Sequence, residues 1–218
     1  MAVSRLPTAS YPMPAEHELP ENTARWTLDP SRAALLIHDL QHYFLRPFGE
    51  PLLTDLLRNV EALRNRCART GVPAYYTLQP GSMTPRQRGL LADFWGPGMR
   101  SSPEDRRVPG RLAPGQGDTV FTKWKASAFV RTDLLRTLER SGRDQLLVCG
   151  VYGHVGILMT ANDAFANDVQ TFLAGDAIAD FSLEHHRMTL DYAAKRCAVV
   201  ESTRTILSTL AAATAAAR

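Results

Sequence analysis

Three positions in this 218-residue chain are equipped for chemistry: Asp39, Lys123 and the glycine-rich turn GVYGHVG from Gly150 to Gly156. A carboxyl group can give or take a proton, an ammonium can hold an anion, and the N–H groups at a helix start are free to meet an anion or a polarised oxygen. Singly, each has a plainer reading: an Asp after a strand commonly caps a turn, and a Lys at a strand end is commonly solvated. Their shared placement favours a site, because each follows a short apolar run of strand character. The turn is not GxGxxG, and no acid follows at the spacing a ribose needs, so no dinucleotide or other cofactor is expected. Ser127 and Ser141 lack a G-x-S-x-G elbow, which counts against a serine hydrolase.

No metal site is expected either. His38 reads as a packing or hydrogen-bonding residue at a strand end, His185 and His186 as surface or interhelical contacts, and His154 as a residue that positions the turn containing it. Cys67, Cys149 and Cys197 are odd in number, far apart and without CxxC spacing, which points to reduced thiols in a cytoplasmic protein. The segment 79–117 is long and rich in Gly, Pro and Arg, as functional loops are. Within it, Trp95 beside Gly96-Pro97-Gly98 suits a rigid aromatic wall, while Phe94 is expected in the core. Gln79 and Arg88 flank that wall. A carboxylate-bearing ligand would need such a guanidinium, although a solvated face is the plainer role for Arg88.

These groups converge only if the elements bring strand ends to one edge. Apolar runs predict strands at 33–38, 72–77, 119–123, 145–150, 169–174 and 198–202. Helices are predicted from 54 to about 69, stopped by Gly71, and near 131–140, 157–167, 184–196 and 203–212. Such alternation calls for an α/β fold, a three-layer doubly wound, mostly parallel six-stranded sheet with helices on both faces. Ligands bind beyond the carboxyl ends of its strands. At 44% apolar residues the chain can close one core, so 32–218 is expected to be one domain. Residues 1–31 are expected to form an extended arm able to support a homodimer, and the terminal AAATAAAR to fray. The net charge of +3 is scattered, with no basic block for nucleic acid, and is compatible with a small anionic substrate. No apolar run approaches the roughly 20 residues that span a bilayer, so no membrane partner is expected.

The segments ELPENTARWTLDPSRAALLIHDLQHYFLRPF, YYTLQPGSMTPRQRGLLADFWGPGMR, TKWKASAF and CGVYGHVGILMTANDAFANDVQTFLAGDAIADFSLEHHRMTLDYAAKRCAVV together make the chain resemble the isochorismatase-like hydrolase family. The resemblance covers nearly the whole chain and is strongest to the stand-alone branch of phenazine biosynthesis. It implies hydrolysis of the enol-pyruvyl ether of 2-amino-2-deoxyisochorismate to trans-2,3-dihydro-3-hydroxyanthranilate and pyruvate. Isochorismate, giving 2,3-dihydro-2,3-dihydroxybenzoate, is the alternative substrate.

In that resemblance Asp39 is the general acid, and Gly156 stands where a cysteine-hydrolase branch has its nucleophile. Substrate contacts fall on Phe44, Gln79, Arg88, Trp95, Lys123, Tyr152 and the backbone around Val155 and Gly156. A non-proline cis peptide is implied at Val151–Tyr152, and Gly153 replaces an Ala common in relatives. Burial near a bound dianion is expected to raise the pKa of Asp39, with Lys123 serving the substrate. A cysteine amidohydrolase is disfavoured by Gly156, and a catalytically silent binding protein by the joint presence of Asp39 and Lys123. Siderophore-pathway relatives append a carrier domain, and no carrier function is expected here.

Overall fold

The run AALLIH has no polar side chain before its last position, and it forms strand β1 (Ala33–His38) with every residue buried. A strand without a solvent face belongs inside a sheet covered on both sides. In the computed structural model, which describes residues 8–216, β1 lies between β2 (Ala74–Leu78) and β4 (Gln145–Val151). With β3 (Thr119–Thr122), β5 (Gln170–Ala179) and β6 (Ala198–Glu201) they make a six-stranded sheet in the order β3-β2-β1-β4-β5-β6. Every pairing is parallel. The winding reverses between β1 and β4, the kind of crevice in which doubly wound sheets bind ligands.

The connecting helices are α1 (His42–Leu45), α2 (Leu52–Arg69), α3 (Pro85–Arg88), α4 (Leu91–Trp95), α5 (Pro103–Arg106), α6 (Leu134–Arg140), α7 (Leu158–Ala166), α8 (Leu183–Arg196) and α9 (Thr203–Ala216). Alternate residues of β1 serve opposite layers. Leu35 and Ile37 pack with Leu56, Val60 and Leu63 of α2 and Ile206 of α9, whereas Ala34 and Leu36 pack with α6, α7 and α8. The buried residues of α2, Leu52, Leu56, Val60, Leu63 and Cys67, recur at helical spacing and give it one core-facing stripe.

Several boundaries differ from the sequence expectation. The sheet is parallel throughout, and β5 continues to Ala179, well past the predicted end at 174. A register shift between Val148 and Gly150 lets Gly150 and Val151 pair with Ile178 and Ala179. Segment 79–117 contains α3, α4 and α5, and the helix expected from 157 is preceded by a π-helical turn over Gly153–Ile157.

Of the expected arm, residues 1–7 lie outside the described part, as do residues 217–218 of the C-terminal segment expected to fray. From residue 8 the arm lies along the domain. Tyr11 and Leu28 are buried, and the Asn22 side chain receives the Val200 N–H (2.7 Å) and donates to Val200 O (2.9 Å) on edge strand β6. Among the described residues no helix is long and apolar enough to cross a membrane.

Candidate active site

Asp39 is the first residue beyond β1 and adopts a left-handed backbone (φ 48°), which Asp tolerates better than most residues. Its N–H donates to Thr77 O at 3.1 Å, and the Thr77 hydroxyl donates to Asp39 Oδ1 at 2.7 Å. Lys123, the first residue beyond β3, reaches across β2 and donates from Nζ to Asp39 Oδ2 at 2.7 Å, with both residues buried. Gln79 Nε2 adds a 3.2 Å bond to the same oxygen, while the Gln41 amide accepts from Gln79 N (2.8 Å) and donates to Gln79 O (3.0 Å).

Burial pushes the Asp39 carboxyl up. The Lys123 ammonium, His38 and the hydrogen bonds from Lys123 and Thr77 outweigh that and hold it below its ordinary value. The expectation of a raised pKa concerns the complex with a bound dianion; beside Lys123 and without a ligand the shift runs downward. Without a ligand Lys123 is bound to Asp39, and Asp39 is a carboxylate.

The turn after β4 is shaped by close approach. Gly150 has φ 115°, and a Cβ there would fall 2.3 Å from the backbone oxygen of His38, so at this end of the β1–β4 pairing only a glycine fits. The peptide Val151–Tyr152 is cis, as the family resemblance implies. Three of the turn's N–H groups, which the sequence suggested were open to an anion, are already engaged within the fold. Gly156 N and Ile157 N both donate to Tyr152 O, at 3.0 and 3.2 Å, and His154 N donates to Asp180 Oδ2 at 2.6 Å.

Gly156 itself faces an imidazole: a Cβ there would stand 2.3 Å from His38 Cε1. His38 Nδ1 lies 2.8 Å from Val151 O, and since a carbonyl can only accept, Nδ1 carries the proton. Burial pushes the His38 pKa down to about 4, so the ring is neutral near pH 7.

Asp39, Lys123, Gly156, Phe44, Gln79, Arg88, Trp95, Tyr152 and Val155 all line one cavity, so the structure brings together every predicted site residue. Arg88 is buried and donates from Nε to Gly96 O (2.9 Å) and from Nη2 to Trp95 O (3.4 Å). No carboxylate pairs with it among the described residues. Lys125 Nζ fixes α3 by donating to Gln87 O (3.1 Å) and Arg88 O (2.9 Å). Tyr152 donates its hydroxyl to Phe44 O at 2.8 Å and meets the Phe44 ring edge-on.

Phe94 is not a core residue: it is 80% exposed, because the roughly 100° helical step that turns Trp95 towards the cavity sends Phe94 to solvent. His186 likewise departs from expectation and is fully buried, with Nε2 at 2.9 Å from Gly175 O.

Sequence reading missed Thr77, Tyr43, Asp180 and Phe181. The first is an ordinary strand residue in pattern, and the last two follow the unexpected extension of β5. It also missed the approach of His154, Asp180 and His185, whose donor atoms lie within 4.8 Å of one another. The two imidazoles are stacked, with centroids 4.3 Å apart and 19° between planes. A metal ion must lie in the plane of each imidazole it binds, so the rings in this arrangement cannot share one. His154 Nδ1 is instead hydrogen-bonded to Asp180 Oδ1 at 2.7 Å.

The isochorismatase domain model matches residues 33–205. The chain is 57% identical to the phenazine biosynthesis protein PhzD1 of Pseudomonas aeruginosa over 198 residues, 91% of this chain and 96% of that protein. It is 48% identical to the isochorismatase of Bacillus subtilis over 202 residues, 92% of this chain and 65% of that protein. Among solved structures, a cysteine hydrolase from Pseudomonas syringae pv. phaseolicola superposes with a TM-score of 0.79 at 22% identity, covering 89% of this chain and 98% of that one, a likeness of fold. With the domain model spanning most of the chain and relatives this similar along nearly all of it, the protein belongs to the isochorismatase family of hydrolases.

Proposed function

We propose that this hydrolase cleaves the enol-pyruvyl ether of 2-amino-2-deoxyisochorismate, as a step of phenazine-type secondary metabolism. The observation that carries this reading is the cavity's charge layout. A buried Asp39–Lys123 pair shares it with the Arg88 guanidinium, which has no carboxylate partner among the described residues. A substrate bearing a ring carboxylate and a pyruvyl carboxylate supplies the missing anions. The 57% identity to a phenazine biosynthesis protein supports the amino compound, and the 48% identity to an isochorismatase keeps isochorismate as the second candidate.

On entry, the dianion competes with Asp39 for the Lys123 ammonium and adds negative potential, and both effects raise the Asp39 pKa from its depressed value. Protonated Asp39 then gives its proton to the terminal methylene. The C=C electron pair forms the new C–H bond, leaving a methyl group and an oxocarbenium carbon. Water adds to that carbon and returns a proton to Asp39. Collapse of the hemiketal breaks the bond to the ring oxygen, which takes a proton and leaves as the ring alcohol beside pyruvate.

No covalent intermediate is required. Cys149, the nearest thiol in sequence to the turn, lies within β4 with its pKa pushed up by burial. The walls of Phe44, Trp95 and Tyr152 limit surplus water.

Pyruvate release, coupled to lactate dehydrogenase, is the test with both substrates. Faster turnover of the amino compound is expected, with one solvent deuteron in the pyruvate methyl group when the reaction runs in heavy water. Absence of pyruvate from both substrates would overturn the reading.

A further inference from the structure

Beyond Ala179, the next two residues stand between the turn after β4 and the segment carrying Trp95. Asp180 is fully buried, and its carboxylate is spent on N–H groups. Oδ2 accepts from His154 N at 2.6 Å, and Oδ1 accepts from His154 Nδ1 at 2.7 Å and from Phe181 N at 2.8 Å. Gly153 belongs to the same fit, because a Cβ there would lie 2.8 Å from Asp180 Oδ2.

From the other side, the arm grips the Asp180 backbone. Asp180 N donates to the Tyr11 hydroxyl at 2.9 Å, and that hydroxyl lies 3.2 Å from both Asp180 O and His186 Nδ1. His186 Nε2 faces the carbonyl of Gly175 and therefore carries that ring's proton, leaving Nδ1 able to accept from Tyr11. Phe181 then joins the two walls of the cavity. Its ring centroid lies 4.2 Å from that of Tyr152, 6.0 Å from Trp95 and 5.8 Å from His154.

We propose that Asp180 is a positioning residue for the active-site turn and that, with Phe181, it fixes Tyr152 and Gly156 on one side and the Trp95 wall on the other. A π-helical turn makes few hydrogen bonds of its own, and such turns often mark functional sites. Here a buried carboxylate supplies the acceptors. Asparagine in its place can still accept from His154 N and can donate to the other tautomer of His154 Nδ1, losing only the Phe181 bond, whereas alanine loses all three. The kinetic part of the inference rests on the enol-ether reading, and the structural part does not.

The test uses full-chain Asp180→Ala, Asp180→Asn and His185→Ala, read by thermal melting, hydrogen exchange over residues 152–158, and kcat and KM for pyruvate release. In folded Asp180→Ala, exchange at the turn should accelerate about 10-fold or more. Its kcat should fall by about 30- to 100-fold while KM stays within about 3-fold, since Arg88, Gln79 and Lys123 are untouched. Asp180→Asn should recover most of kcat. His185→Ala, and wild type treated with a chelator, should behave as untreated wild type.

Unchanged exchange in folded Asp180→Ala would overturn the proposal, and so would a kcat loss as large in Asp180→Asn. Reproduction of the loss by chelator or by His185→Ala would make the cluster a metal site instead. If the alanine variant does not fold, exchange and kcat in Asp180→Asn and Phe181→Leu decide: a turn as protected, and a kcat as high, as wild type in both overturns the proposal. If wild type releases no pyruvate from either substrate, the functional reading fails, and the exchange comparison alone decides the positioning role.

Discussion

At the scale of single residues, the Asp39–Lys123 pair joins two roles, because the ammonium that will hold a substrate anion also keeps Asp39 ionised until one arrives. Asp39→Asn keeps the shape and removes the transferable proton, so kcat should fall by about 1000-fold or more, with binding of a non-reactive substrate analogue within a few-fold by calorimetry. Lys123→Met should have the opposite emphasis. It strands a buried carboxylate, which costs on the order of 3 kcal/mol at pH 7. Desolvation then raises the Asp39 pKa above its unfolded value, so the deficit against wild type should shrink as pH falls and Asp39 takes up a proton. Urea melts at pH 8 and pH 5 check the sign, and a deficit that grows on acidification would refute this account of the pair. Asp39, Lys123, Gln79 and Arg88 were legible in the sequence because they are polar residues at strand ends or in a loop too long to be a mere connection. Thr77 was not, because nothing local marks a strand threonine whose hydroxyl turns to a carboxylate from a neighbouring strand.

At the scale of elements, apolar runs located all six strands, since strands buried on both faces leave continuous hydrophobic stretches. They failed at the end of β5, where Gly175 and Asp176 look like a turn. The strand continues there because the shifted register gives Ile178 and Ala179 partners on β4. That extension carries Asp180 to the active-site turn, so one boundary error concealed a whole side of the site. The turn after β4 was read as glycine-rich for its free N–H groups, whereas its glycines answer to crowding. Gly156→Ala should therefore cost stability, about 2 kcal/mol or more, because the added methyl meets the His38 ring, which is itself tied to Val151 O. Combining it with His38→Ala should recover part of that loss, and a double variant no more stable than the sum of the two single losses would show that the ring is not what excludes a side chain.

At the scale of the whole molecule, the two hydrophobic layers enclose neutral histidines that the unfolded chain would protonate in mild acid. His38 has its pKa pushed down from 6.5 to about 4, chiefly by burial, and His186 is shifted in the same direction for the same reason. A histidine depressed in the folded state lets the unfolded chain bind more protons between the two values. Stability should thus be full above about pH 6.5 and decline as pH falls towards 4, His38 alone accounting for roughly 3 kcal/mol. Asp39 acts in a lower window, because its depressed pKa withdraws stability only below the ordinary carboxylate range. Urea unfolding at pH 7.5, 5.5 and 4.5 separates the two. His38→Gln, whose amide can still donate to Val151 O, should lose markedly less stability between pH 7.5 and 4.5 than wild type does. An equal loss in the variant would mean that His38 is protonated within the fold, and that the ring beneath Gly156 is a cation beside Lys123 rather than a neutral donor to the β4 backbone.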